Sequence, residues 1–280
     1  MSNPNREYDK THLSIDMAEE RGIMHRDYIA HCTRWSHVVK FLYKLHHYKT
    51  ARILDVGCGR EVPLAKLLYS NKMSGAKYVG VDYNALEMPE MLKTAVTNMK
   101  MEVTLKGGWD AGDLVATDLP WSPNVLTSFE CFEHMTPKAA RRMVETMYDL
   151  AEEGAHLFFS TPCWNGSAAA NHINETTYEA MGALLEDVGW YIEDHYGTFA
   201  SQSDYKHKMG PEELDIFNRL AEYYDSNMLA CLMAPLFPKY SRNVLWHCSK
   251  GGTLISRRFP PLYEIAEPWS QHPNYLELKP

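Results

Sequence analysis

The stretch from Ala51 to Lys66 constrains this chain more than any other. An apolar run of Ile53, Leu54 and Val56 enters a turn built on Gly57 and Gly59, and a helical pattern follows through Leu64, Leu67 and Leu68. That order reads as a buried strand, a tight turn and a helix. Glycine serves where the backbone takes a positive φ or where a ligand must approach it closely. A helix that starts behind such a turn offers unsatisfied N–H groups and the positive end of its dipole to an anionic group. A second short strand, Tyr78 to Asp82, ends on an acid. In dinucleotide-type folds an acid about 20 residues beyond the glycine turn binds ribose hydroxyls, and Asp82 follows Gly59 at about that spacing. The nicotinamide fingerprint would need a third glycine at position 62, which is valine here.

A chain of 280 residues can bury one full core and still carry an insertion. The formal charge of −8 argues against broad attraction to nucleic acid or an anionic membrane. The six cysteines are scattered without a Cys-x-x-Cys pair, which fits reduced thiols rather than a disulfide framework or a zinc site. The N-terminus lacks a signal-peptide core, and no apolar run is long enough to span a bilayer. A cytoplasmic, soluble protein with no membrane partner is expected.

Residues 1–15 are polar and read as frayed or lid-like. From about Asp16 to His46 the apolar spacing predicts helix. A Met- and Leu-rich helix lies between Asp82 and Lys100, its methionines read as core. Further strands are expected at Glu102–Leu105, Asn124–Phe129, His156–Thr161, Trp190–Tyr196 and Ser241–Lys250. Thr176 or Thr177 caps a helix that Gly189 ends. Residues 199–240 hold two helical stretches, Glu212 to about Tyr224 and Met228 to Leu236, while the tail from Gly251 lacks periodicity and is expected to wrap the surface.

The run Leu54-Asp55-Val56-Gly57-Cys58-Gly59 resembles motif I of class I S-adenosylmethionine-dependent methyltransferases, in which a third glycine often stands where this chain has Glu61. The resemblance covers roughly residues 50–198 and 241–250. It implies an α/β fold, a doubly wound, mostly parallel, Rossmann-like sheet of seven strands whose last strand is antiparallel. The expected organisation is a helical cap at 1–50, a methyltransferase domain at 51–250 with 199–240 as an insertion, and a tail at 251–280. The insertion either covers the active site or makes a homodimer contact.

The same resemblance implies a cofactor site for S-adenosylmethionine, left as S-adenosylhomocysteine, built from Asp55, Gly57, Gly59, Asp82, Tyr83, Asp113, Leu114 and Glu130. Asp110 competes with Asp113 for the adenine, and Asp113 is preferred. Arg34 or Tyr28 is a candidate to touch the methionine carboxylate or the substrate; the alternative is a surface arginine and a core tyrosine.

Glu133-His134 resembles the Glu-His pair that many small-molecule methyltransferases carry after the fourth strand, and His172 matches a later histidine over the substrate face. Glu133, His134 and His172 are therefore the catalytic candidates, with a histidine able to take the acceptor's proton. A structural role for each histidine is the alternative, and no metal ligand is assigned. The loop after the fourth strand lacks both Asp/Asn-Pro-Pro-Tyr/Phe, which holds an exocyclic amine in DNA enzymes, and the Pro-Cys of cytosine C5 enzymes. Pro162-Cys163 does occur after the fifth strand, but the cysteine is read as passive. The expected function is in-line methyl transfer to an oxygen or nitrogen of a small molecule. A methyltransferase for a nucleotide or nucleic acid, using Arg141, Arg142, Lys206, Lys208, Arg257 and Arg258, is the alternative. A non-catalytic cofactor-binding partner module is a lesser one.

Overall fold

A computed structural model describes residues 26–44, 49–73, 75–164, 168–169, 171–200, 205–251 and 257–265, with the side chains of residues 26–28 and 99 outside that description. The expectations for residues 1–15, for the Tyr28 side chain and for the last stretch of the tail therefore fall outside the described residues.

Seven strands form one sheet in the order β3-β2-β1-β4-β5-β7-β6. They are β1 (Arg52–Val56), β2 (Lys77–Asp82), β3 (Glu102–Gly107), β4 (Val125–Phe129), β5 (His156–Pro162), β6 (Tyr191–Phe199) and β7 (Asn243–Ser249). β1 to β5 pair in parallel, and β7 runs antiparallel to both β5 and β6. β1 and β4 are buried almost throughout, as expected of central parallel strands covered on both faces. In register, Asp55 of β1 lies opposite Gly80 of β2 and Thr127 of β4.

One face is covered by α1 (Arg26–Lys44), α2 (Pro63–Ser70) and α3 (Glu90–Met99). Val38, Leu42, Leu64, Leu68, Leu92 and Ala95 meet Ile53, Phe158 and Leu245 there. The other face is covered by α4 (Pro137–Leu150) and α5 (Tyr178–Val188), with Met143, Met147, Leu184 and Leu185 in that layer. α4 starts where the Thr136 hydroxyl accepts the Ala139 N–H at 3.4 Å and Pro137 follows. α5 starts with the same device, Thr177 accepting from Ala180 at 3.2 Å, and stops on Gly189 at φ +112°. Both ends match the cap and stop residues read from the sequence.

Between β6 and β7 the chain leaves for α6 (Pro211–Ala221) and α7 (Ser226–Leu232). These gather a small core of Tyr205, Phe217, Leu229, Met233 and Phe237, and the Ala200 N–H donates to Ala230 O at 2.8 Å. β6 ends and β7 begins at the carboxyl edge of the parallel strands, so the insertion stands at that edge. In the tail, Phe259 is buried against Trp246 and Tyr178, and Arg257 pairs with Asp187 at 2.6 Å. Residues 257–265 thus strap α5.

Candidate active site

β1, β2 and β4 deliver their carboxyl ends where the strand order reverses, which is where open α/β sheets bind ligands. The turn after β1 is latched to its neighbour, since the Gly57 and Cys58 N–H groups both donate to Val81 O, at 2.8 and 3.2 Å. Gly57 and Gly59 take φ +72° and +70°. A side chain on Gly57 would come within 2.7 Å of Cys131, whereas one on Gly59 would meet nothing within 4 Å. Gly59 therefore keeps open the space in front of the turn. Val62, where the nicotinamide fingerprint has glycine, takes φ +46° at the head of α2, a conformation that β-branched residues rarely adopt.

Asp82 closes the turn from the side. Its Oδ2 accepts the Gly59 N–H at 3.0 Å, and its Oδ1 accepts the Asn84 backbone N–H at 2.9 Å and side-chain N–H at 3.1 Å. Its carbonyl accepts the Trp109 N–H at 3.1 Å, which brings in the loop after β3. An ionised carboxylate has about four lone-pair positions, so capacity remains for a ligand hydroxyl. Tyr83 beside it is largely exposed, and Leu114 is buried in the core.

Two of the expected cofactor residues are engaged by this chain's own side chains. Asp55 is buried. It lies behind the turn, 5% exposed, with Oδ2 accepting the Tyr78 hydroxyl at 2.5 Å and Oδ1 the Thr127 hydroxyl at 2.7 Å. Burial raises its carboxyl to about 6 against those two hydrogen bonds, and it positions β1 against its two neighbours. Asp113 pairs with Arg142 of α4 at 2.8 Å on an exposed surface. The reason is local, because Arg142 and Thr146 both donate to Gly112 O and draw this segment onto α4. Asp110 lies nearer the end of β3, where it caps the short helical turn by accepting the Gly112 N–H at 2.9 Å.

Glu130 leaves β4 at φ +55°, strained for a non-glycine residue. Its carboxylate accepts from Asn243 at 2.8 and 2.9 Å and from Ser160 at 3.0 Å, with Arg34 at 3.5 Å. Burial alone would raise this carboxyl, but Arg34, His31 and the two hydrogen-bonding side chains outweigh it and hold the group below the usual glutamate range. Arg34 is 1% exposed and also donates to Asn243 at 3.0 Å. It is not a surface arginine, and its charge is answered by Glu130. The sequence reading missed Asn243 and the pairing. A sign was present, since Arg34 sits four residues from Ala30 and from Val38 on the buried stripe of α1.

The catalytic candidates are brought together. Glu133 is 1% exposed, and its backbone carbonyl accepts the N–H groups of Ile173 at 2.8 Å and Asn174 at 3.0 Å. Those two bonds carry His172 across to His134, and the two rings lie edge-on with centroids 4.9 Å apart. His134 Nε2 is 3.7 Å from Glu133 Oε1, and Thr161 donates to Glu133 Oε2 at 3.2 Å. His134 Nδ1 faces Asn171 O at 3.2 Å, and His172 Nδ1 faces Glu175 Oε1 at 2.5 Å. Glu175, which the sequence reading did not single out, is fully buried and paired with Arg242 at 2.6 Å. Burial and the charge of Glu130 push the Glu133 carboxyl up to about 7, against the pull of both histidines. Cys163 is buried with its thiol raised to about 12, burial being the main cause, so it stays protonated as a passive residue would.

The basic residues considered for nucleic acid are engaged locally. Arg141 pairs with Glu145, Arg142 with Asp113 and Arg257 with Asp187; Arg258 donates to Glu193 O. Lys206 and Lys208 lie over the rings of Phe217 and Tyr240. Among the described residues no helix is long and apolar enough to cross a membrane.

Comparisons with known proteins agree with this geometry. Magnesium protoporphyrin IX methyltransferase from Synechocystis PCC 6803, solved with bound S-adenosylhomocysteine, superposes with a TM-score of 0.54 at 13% identity, covering 88% of this chain and 92% of that one. The same enzyme solved with S-adenosylmethionine gives 0.50 at 15% identity, over 88% and 95%. At such identities the likeness is one of fold. No curated protein matches the sequence. Residues 25–195 match a family model described as a methyltransferase domain, more than half of the 280 residues. With that match and a seven-stranded sheet in this order, the chain belongs to the methyltransferase-domain family, as an enzyme of the class I, S-adenosylmethionine-dependent type.

Proposed function

We propose that this cleft binds S-adenosylmethionine and that the protein methylates an oxygen or nitrogen of a small-molecule acceptor. The observation that carries the reading is the pairing of the glycine turn with Asp82, open in front of Gly59 and closed by a carboxylate with lone pairs to spare. That cradle fits the ribose and the adjoining chain of the cofactor. Gly57 and Gly59 supply close backbone, Asp82 the ribose acceptor, and Tyr83 the exposed edge. With Asp113 paired to Arg142, Asp110 is on this reading the acid that meets the adenine. Glu130 serves as a positioning residue that joins β4 to α1 and β7.

Bound there, S-adenosylmethionine supplies an electrophilic methyl group on a sulfonium. The chain's own contribution is alignment and exclusion of water. His134 and His172 each keep the Nδ1 proton on an oxygen acceptor, which leaves Nε2 of each ring as the basic atom on the acceptor side. With Glu133 they form a wall that polarises or deprotonates the attacking group. The insertion, at the same edge of the sheet, lines the acceptor pocket with α1. The pairing of Arg141, Arg142 and Arg257 with acids favours a small acceptor over a nucleic acid.

Calorimetric titration with S-adenosylmethionine and S-adenosylhomocysteine tests the reading. The native chain should bind both, and Asp82→Ala should weaken binding about 10- to 100-fold, the worth of hydrogen bonds to a charged group. Absence of binding by the folded native chain would overturn it. With binding in hand, small hydroxylated compounds and amines are the first acceptors to screen.

A further inference from the structure

We propose that Glu133, His134 and His172 together form a site for one divalent transition-metal ion on the acceptor side of the cleft. One ligand atom from each residue lies within 4.8 Å of the other two. The outer contacts are those that prepare ligands. A histidine that binds metal generally donates its other ring N–H to a carboxylate or a backbone carbonyl, which fixes the tautomer and the ring. His172 does this with the buried Glu175 and His134 with Asn171 O. Both rings are thereby held with Nε2 as the lone-pair atom, and His134 Nε2 faces a carboxylate oxygen at 3.7 Å. Two electron-pair donors that face each other across such a gap leave room for a cation between them.

Charge makes the same point independently. Among the described residues, Glu130 is answered by Arg34 and Glu175 by Arg242, while the ion-pair partner of the buried Glu133 is a histidine. A divalent ion would supply the positive charge that this corner lacks. The Glu133 side chain is already steered by the Thr161 hydroxyl, while the two imidazoles are 19% and 16% exposed, so the site is built on its inner side and open on its outer side. Two imidazoles and one carboxylate suit zinc or iron, with open positions left over, and suit magnesium or calcium poorly. Those open positions would take an oxygen of the acceptor and lower its pKa, and with the ion bound this would replace the general-base role given to the two Nε2 atoms above. That last step rests on the methyltransferase reading above; the metal site itself does not.

The test uses the full chain, stripped with a chelator and titrated with zinc or, for its visible absorption bands, with cobalt(II). One ion per chain is expected, with magnesium and calcium competing weakly. His172→Gln and Glu133→Gln remove ligands and should abolish stoichiometric binding. Glu175→Gln removes an outer contact and should weaken binding by roughly 10- to 100-fold. His172→Gln, at a partly exposed side chain, decides the matter should Glu133→Gln fail to fold. Binding of S-adenosylhomocysteine is measured in parallel on the same samples. A native chain that takes up the nucleoside but no metal would overturn the site and leave the methyltransferase reading standing. Metal binding that is equal in native and ligand-deleted chains would overturn it too. Metal without nucleoside binding would support the site and count against the methyltransferase reading.

Discussion

Gly57 and Gly59 hold nearly the same φ, yet they serve different ends. Gly57→Ala places a methyl group against Cys131 in a left-handed conformation, and both effects act on the fold. The strain of about 1–2 kcal/mol and overpacking of about 1–3 kcal/mol should together lower the melting temperature by about 4–20 °C, readable by differential scanning calorimetry. Gly59→Ala meets open space and carries the backbone strain alone. Its melting temperature should fall by only a few degrees at roughly 2–4 °C per kcal/mol, while its affinity for S-adenosylhomocysteine should fall about tenfold or more because the methyl group stands in the cleft. Equal loss of stability in the two variants would refute the distinction. These glycines, Asp82 and Glu133-His134 were legible because each belongs to a short run with its own signal. Arg34, Glu175, Asn243 and Arg242 were not. Glu130 and Asn243 are 113 residues apart in sequence, and no local pattern announces a partner at that distance. The hydrogen bonds of Asp55 to Tyr78 and Thr127 were not legible either, since a motif names the residue without saying which way a strand turns it.

At the scale of elements, the packing of α1 on the sheet depends on neutral histidines. His247 stacks on Phe158 with centroids 4.5 Å apart, and Phe41, His37 and His156 surround it. Burial, then His156 and His37, lowers the His247 pKa to about 3. His37 is lowered as well, chiefly by burial, although Asp194 opposes it. In the unfolded chain a histidine titrates near 6.5. Because the folded value is the lower one, the contribution is fully present above about 6.5 and is lost as the pH falls from there toward 3. Melting temperature should therefore drop between pH 7.5 and pH 5, and His247→Phe, which keeps the ring stack, should drop less. An equal drop would remove His247 from the account. The sequence foretold every strand to within two or three residues, since buried apolar runs bounded by turns leave little choice. It said less of 199–240. Helical periodicity located two helices there, but their place at the carboxyl edge of the sheet follows from the strand order and not from their own residues.

For the whole molecule, a ligand that binds the folded form alone stabilises it by mass action, about 2.7 kcal/mol at a concentration one hundred times its Kd. At roughly 2–4 °C per kcal/mol for a domain of this size class, saturating S-adenosylhomocysteine should raise the melting temperature by about 5–10 °C. Asp82→Ala should show a smaller rise at the same concentration, and a protein that shows none would not be binding in the cleft. The overall architecture was readable because strand, glycine turn and strand recur in a set order. The gathering of Glu133, His134 and His172 was readable only as three separate residues, since their meeting depends on two backbone hydrogen bonds from the segment that carries His172. The position of β7 has one more consequence. It is the last strand in sequence but sits between β5 and β6, and it brings Asn243 to an arginine 209 residues earlier. A nascent chain emerging from the ribosome already holds the entire glycine turn and Asp82 long before this strand appears. Until then β5 has an open edge, β6 has no place to pair, and the buried Arg34–Glu130 pair lacks its third member. A product terminated before β7 thus carries every recognisable motif and no finished sheet.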